Sequence, residues 1–346
     1  MLKILINNVT IITMSDVLDL VIRRGYVYVE NGVIKAVGPG EPPPEYEFAD
    51  YVIEGKGKVL TPSFCLGYFE VLRYPIRFIQ ELDTYYKLLS SISGSDIYYI
   101  TSITLASLLL KGVACIGLVI PRYQEHAAKA IKEAYPLTRF MMPITIDEVR
   151  NLPEIEQKLR RIPMEAPQII KPGLLISREL IIDRIFNLAK VTNSYIYLKG
   201  VVEEKDLKIL SRYVKEATLI DYAIEIPEEL SKVIMLRNIV TEDNLDLWRP
   251  FNGLGIMSGS TDVYSSCRKL LKLGHNPIDV FASLTRWGAE ALGFSNVGSI
   301  EPGKIALINI FDIHSPHVWP ISGGLESLFY VLVTGLAPLE TVIVYD

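Results

Sequence analysis

Side chains able to carry catalytic chemistry are sparse in this chain. Histidine occurs four times, as His126, His275, His314 and His317. Imidazole is the usual neutral ligand of a catalytic zinc and the usual proton carrier near neutral pH. Chemistry that needs several imidazoles therefore has little to draw on. His314 and His317 stand three apart beside Pro316 and Pro320. The pair reads either as a metal site on a surface turn or, more simply, as packing of the tail. His126 follows Glu125 on a predicted helix and reads as exposed. Lys199 would be an amine nucleophile if desolvated, and the simpler reading is a surface lysine. Cys65, Cys115 and Cys267 form no Cys-x-x-Cys pair and no even framework. Reduced thiols in a cytoplasmic setting are expected.

Positioning such groups is the task of a chain of 346 residues, 49% hydrophobic and 22% charged. Its mean hydropathy is positive, +0.27. That apolar mass excludes a disordered chain. The net charge of −5 with mixed signs argues against nucleic acid, which selects a basic face. The first residues lack the regions of a secretion signal. The apolar stretch Ile103 to Ile120 is interrupted by Lys111-Gly112, so it reads as a helix, a turn and a buried strand, and no membrane span is expected. The hydropathy instead fits a parallel sheet covered on both faces. Richness in Ile, Tyr, Lys and Glu hints at a thermophilic source.

Residues 1–60 are β-rich, with Val21–Val29 and Val33–Val37 paired as a hairpin across Glu30-Asn31-Gly32. Between 60 and 260, apolar runs alternate with amphipathic segments. The runs are Leu60–Leu66, Val113–Ile120, Phe140–Ile144, Leu174–Ile176, Tyr195–Lys199, Thr218–Ile224, Val233–Leu236 and Gly255–Ser258. Eight such units predict a (β/α)8 barrel. The tail returns to strands at Lys304–Phe311 and Glu340–Tyr345. The predicted fold is thus α/β: a TIM-type barrel over 61–302, with a small β-sandwich built from 1–60 and 303–346.

Two stretches resemble the amidohydrolase superfamily. Val33–Gly38 followed by Leu60-Thr61-Pro62-Ser63-Phe64-Cys65-Leu66-Gly67-Tyr68-Phe69-Glu70 is similar to its amino-terminal signature, which ends in His-x-His. Thr285-Arg286-Trp287-Gly288-Ala289-Glu290-Ala291-Leu292-Gly293 with Val297–Ala306 resembles its carboxy-terminal signature. The tail around His314-Ser315-Pro316-His317 is similar to the chlorohydrolase and nucleobase-deaminase branch. The resemblance implies a hydrolase of non-peptide C–N bonds in which a zinc or iron ion activates water. It also implies the ligands: His-x-His on strand one, one His each on strands five and six, and an Asp on strand eight.

Carried onto this sequence, the paired histidines fall on Tyr68 and Glu70. The strand-five histidine falls on Tyr197, and the strand-six histidine on Tyr222 or, one residue earlier, Asp221. Asp262 matches the strand-eight aspartate. Phenols are poor zinc ligands at neutral pH. The expectation is a chain with no metal or cofactor, acting as a small-molecule-binding or assembly pseudoenzyme. The alternative is a hydrolase with metal-free acid–base chemistry on Glu70 and Asp262. Tyr68, Tyr197 and Tyr222 would line a ligand pocket at the barrel mouth or fill its space. Lys171, near strand four, is the place to look for a carbamylated lysine bridging two metals. A homodimer is expected by analogy with this fold.

Overall fold

The computed structural model describes residues 2–75, 87, 90–134, 136–200, 203–221, 228–248, 254–256, 262–314 and 324–343. The chain opens with β1 (Lys3–Ile12), β2 (Val21–Glu30), β3 (Val33–Pro39), β4 (Tyr51–Glu54) and β5 (Lys58–Pro62). Then strands and helices alternate. They are β6 (Phe64–Glu70), α1 (Gly94–Leu109), β7 (Val113–Val119), α2 (Gln124–Ala134), β8 (Leu137–Pro143), α3 (Leu152–Arg161), β9 (Ile170–Ser177) and α4 (Asp183–Thr192). The second half holds β10 (Tyr195–Lys199), α5 (Glu204–Leu210), β11 (Glu216–Ile220), α6 (Glu228–Ser231), β12 (Met235–Val240) and β13 (Leu254–Ile256). Helices α7 (Val263–Lys272), α8 (Pro277–Leu284) and α9 (Arg286–Ala291) follow, then β14 (Leu307–Asp312), α10 (Gly324–Thr334) and β15 (Glu340–Ile343).

Strands β6 to β13 form one eight-stranded sheet in strict chain order, and the pairings are parallel. β13 lies against β6, so the sheet curls back on itself as the expected (β/α)8 barrel. The other seven strands belong to a single sheet in the order β15-β14-β5-β1-β2-β3, with β4 paired to β1. Both chain ends therefore meet in one layer. The β2–β3 hairpin turns through Asn31 and Gly32, both at positive φ, which is the backbone a two-residue turn needs.

Two predicted strands move. The run Leu60–Leu66 is divided at Ser63: its first part is the end of β5, antiparallel to β14, and its second part starts β6. The seventh barrel strand is Met235–Val240 rather than Val233–Leu236. Among the described residues no helix is long and apolar enough to cross a membrane.

The barrel wall separates two apolar populations. Phe64, Leu66, Phe69, Ile116, Leu118 and Phe140 face the helices, where they meet Ile97, Leu105 and Phe281. Cys65, Tyr68, Cys115, Val119, Met141, Tyr197, Ile220 and Ile239 face the interior. Strict alternation breaks twice between β6 and β7, first at Ala114, which lies between the Phe64–Val113 and Cys65–Cys115 pairs and faces inward with Cys115. Leu66 pairs Ile116 and Phe69 pairs Leu118, so Gly67 and Tyr68 together oppose Gly117. This is a β-bulge, which re-aims side chains. Without it Tyr68 would face the helices.

Candidate functional site

At the carboxy-terminal ends of β6 and β10, three side chains meet. The Tyr68 hydroxyl donates to Glu70 Oε1 at 2.5 Å. Lys199 Nζ donates to the Tyr68 oxygen at 3.1 Å and lies 3.5 Å from Glu70 Oε1. Its charge also stands 5.2 Å from the centre of the Tyr68 ring, within cation–π range. Arg73, on the short 3-10 turn after β6, closes the other side, with Nε donating to Glu70 Oε2 at 2.9 Å. Tyr68 is fully buried, Glu70 partly buried, and Lys199 half open to solvent.

The geometry follows from the strands. Tyr68 and Glu70 are two residues apart, so they share a face, and the bulge at Gly67-Tyr68 turns that face inward. Lys199 is the last residue of β10, level with Ile220 of β11. Burial pushes the Glu70 carboxyl up, but the Tyr68 hydrogen bond and the charges of Arg73 and Lys199 outweigh it, and the net shift is down from 4.5.

A carboxyl with a depressed folded-state pKa stabilises the fold above its unfolded value, and the gain is lost as pH falls through the folded value. The Glu70 contribution is therefore complete at neutral pH and declines only under acid conditions. Glu70→Gln is expected to lower the thermal midpoint at pH 7, with the gap to the parent narrowing below about pH 4. Scanning fluorimetry at several pH values checks this; a gap independent of pH would refute it.

Other predicted residues lie elsewhere. Tyr197 is not at the mouth. Its buried hydroxyl donates to the Leu292 carbonyl at 3.1 Å, and burial pushes its pKa far up. It shares a face with Lys199, but one layer deeper, so Lys199 occupies the mouth position of strand five. Asp221 follows β11 with a left-handed backbone, and its Oδ1 accepts the Thr241 N–H at 2.6 Å. Tyr222 and His317 lie outside the described residues.

Asp262 caps α7 by accepting the Tyr264 N–H and pairs with Arg268, which also holds the Thr334 carbonyl. These contacts draw it toward α7 and α10, and none of them joins it to Glu70. Lys171 sits near the start of β9, the opposite end from the mouth, with Nζ on the Pro167 carbonyl. His126 is half-buried rather than exposed, packed by Tyr123 and over Gly94. His275 packs on Trp248, and His314 lies over Gly57.

The second signature builds the barrel floor. The carbonyls ending α9 have no partner inside the helix. Side chains from the barrel strands supply donors. Thr218 Oγ1 reaches the Ala291 carbonyl at 2.5 Å, and Arg139 Nε reaches Leu292 at 2.8 Å beside the Tyr197 hydroxyl. Arg139 also donates to Gly293 and to Pro172 of β9.

Comparison with known proteins agrees with this architecture. Residues 177–338 match the model of the amidohydrolase family. The 5-methylthioadenosine/S-adenosylhomocysteine deaminase of Bacillus cereus is 23% identical, over 93% of this chain and 88% of its own length. The enzyme of the same name from Dictyoglomus turgidum is 20% identical, over 99% and 92%. Among solved structures, a zinc-bound adenosine deaminase from Xanthomonas campestris superposes with a TM-score of 0.75 at 17% identity, covering 99% of this chain and 92% of that one. Zinc-complexed atrazine chlorohydrolase from Arthrobacter aurescens gives 0.75 at 13% identity, covering 98% and 94%.

These comparisons correct the expectation of no metal or cofactor, because two of the similar solved structures hold zinc. The donors described here do not fit that ion. Zinc takes imidazoles, thiolates and available carboxylates. Among the described residues this mouth presents a phenol, an ammonium, a guanidinium and one carboxylate already held by three donors. Among the described residues no group of three or more His, Cys, Asp or Glu could hold a metal.

Proposed function

We propose that this chain, which belongs to the amidohydrolase superfamily, binds a small molecule at the barrel mouth without hydrolysing it. Its scaffold is that of hydrolases acting on C–N bonds. The observation that carries the reading is the closed contact of Tyr68, Glu70 and Lys199 at the two strand ends where the superfamily resemblance expects histidine ligands. A water-activating centre needs a free base poised near the working pH. Glu70 is instead held ionised by Tyr68, Arg73 and Lys199, so it is a weak proton acceptor. Asp221, which follows β11, has its Oδ1 on the Thr241 amide.

The test is ammonia release from adenosine, guanine, 5-methylthioadenosine and S-adenosylhomocysteine, with and without added zinc. No release above the protein-free blank is expected in either condition. Sustained, protein-dependent turnover of any of the four would overturn the proposal.

A further inference from the structure

The barrel brings together two thiols that the sequence keeps far apart. We infer that Cys65 and Cys115 are an oxidisable pair, which closes to a disulfide when the chain folds in the presence of a small disulfide such as glutathione disulfide. The bond would tie the first two barrel strands together from the inside.

The register makes the pair. Phe64 of β6 stands opposite Val113 of β7, and the next pairing is Cys65 with Cys115. In unbroken register Cys65 would face Ala114, so the extra residue is what brings sulfur beside sulfur. Both cysteines point into the barrel interior, and their thiols are within hydrogen-bonding reach of each other. Neighbouring strands lie about 4.8 Å apart, inside the roughly 4.4–6.8 Å that disulfides span between Cα atoms. Closing the bond therefore asks the sulfurs to approach, not the strands to move. Cys267 has no such neighbour. It lies on α7, in the layer outside the wall, with its thiol on the Val263 carbonyl.

Burial decides when the bond forms. Cys65 and Cys115 are 1% and 0% exposed, and both are thiols in the structure. Burial, and then the neighbouring Cys115 thiol, pushes the Cys65 pKa well up. The thiolate is the attacking species in exchange, so exchange is suppressed once the barrel is shut. It belongs to folding, before β6 and β7 are sealed. One protein thiolate attacks glutathione disulfide, forming a mixed disulfide and releasing one glutathione thiolate. The other protein thiolate attacks the protein sulfur of that bond and releases the second. Two protein thiols are oxidised, one glutathione disulfide is reduced to two glutathione molecules, and the two protons pass from the protein thiols to glutathione.

Spacing alone predicts reduced cysteines, and the pairing is a property of the barrel register. The closed loop runs from 65 to 115 and includes α1. A disulfide that closes a long loop constrains the unfolded chain strongly.

The test is a thiol count. The full chain is made by cell-free synthesis in a buffer of glutathione and glutathione disulfide and, in parallel, in dithiothreitol. Each product is unfolded with iodoacetamide, and its mass and peptides are read by mass spectrometry. Of the three cysteines, Cys267 alone should be alkylated in the first preparation and all of them in the second. The oxidised product should carry a peptide linking Cys65 to Cys115 and melt about 5 °C higher. Cys115→Ala should show no linked peptide and lose the difference in melting. Cys267→Ala should keep both. Complete alkylation of the folded parent from the glutathione buffer overturns the inference, as does glutathione left on Cys65 or a bond to Cys267. Equal melting of the linked and reduced chains would show that the bond does not lock the strands.

Discussion

Gly117→Ala is expected to destabilise the protein by about 3 kcal/mol, at the upper end of ordinary overpacking. A Cβ at this position would lie 2.2 Å from the Gly67 carbonyl oxygen, 2.4 Å from Met141 Cε and 2.6 Å from Leu292 Cδ2. The methionine end can move. The carbonyl cannot, because it belongs to the bulge on which Gly67 and Tyr68 oppose this one residue. Relief would have to come from separating β6 and β7 or from removing the bulge. The second course returns Tyr68 to the helix side of the wall and breaks its contact with Glu70. The variant should therefore lose stability together with the pH-dependent contribution of Glu70. Denaturant unfolding at several pH values reads both. A loss below about 1 kcal/mol with that pH dependence intact would show that the bulge does not set the position of Tyr68.

The same bulge marks the boundary of what the sequence makes legible. The barrel is readable because β6 to β13 are short apolar runs separated by helical segments, a pattern that follows from burial on both faces. Pairing of the two chain ends is readable from β runs on either side of the barrel. Strand ends are less so. Leu60–Leu66 is one apolar run, yet it serves two sheets, since nothing in hydrophobicity distinguishes β5 from β6.

At the site, the two-residue spacing of Tyr68 and Glu70 places them together, and the structure agrees. Tyr197 lies away from its expected place for a different reason. Period-two alternation fixes the face of a side chain but not its depth, and Tyr197 and Lys199 share a face. Only the three-dimensional register shows that the tyrosine serves the floor and the lysine the mouth. Lys199 reads in sequence as a surface lysine, because a lysine at a strand end is usually just solvated. A signal did exist for the bulge: Gly67 and Gly117 are glycines inside strands, where glycine weakens pairing unless a bulge or close backbone approach requires it. Asp262 matched a pattern in sequence, but its carboxylate is used to begin a helix.

Arg139→Met should cost about 3 kcal/mol, through unsatisfied carbonyls rather than lost apolar contact. Arg139 is buried on β8, and among the described residues its contacts include no carboxylate. Its guanidinium spends its donors on three carbonyls, those of Leu292, Gly293 and Pro172. Its faces lie 4.6 Å from the Phe294 ring centre and 5.3 Å from that of Tyr195. Methionine keeps most of the apolar volume but donates nothing. Leu292 would retain the Tyr197 hydroxyl. Gly293 and Pro172 would lose the Arg139 donors, and a buried acceptor left unmade costs about 1–3 kcal/mol.

The comparison that isolates this cause is Tyr197→Phe, which removes one donor from a carbonyl that keeps Arg139, and should cost about 1 kcal/mol. In the double variant Leu292 loses both donors, so the combined loss should exceed the sum of the two. Simple additivity would mean that the floor carbonyls find other donors and that Arg139 does not clamp α9 to the barrel.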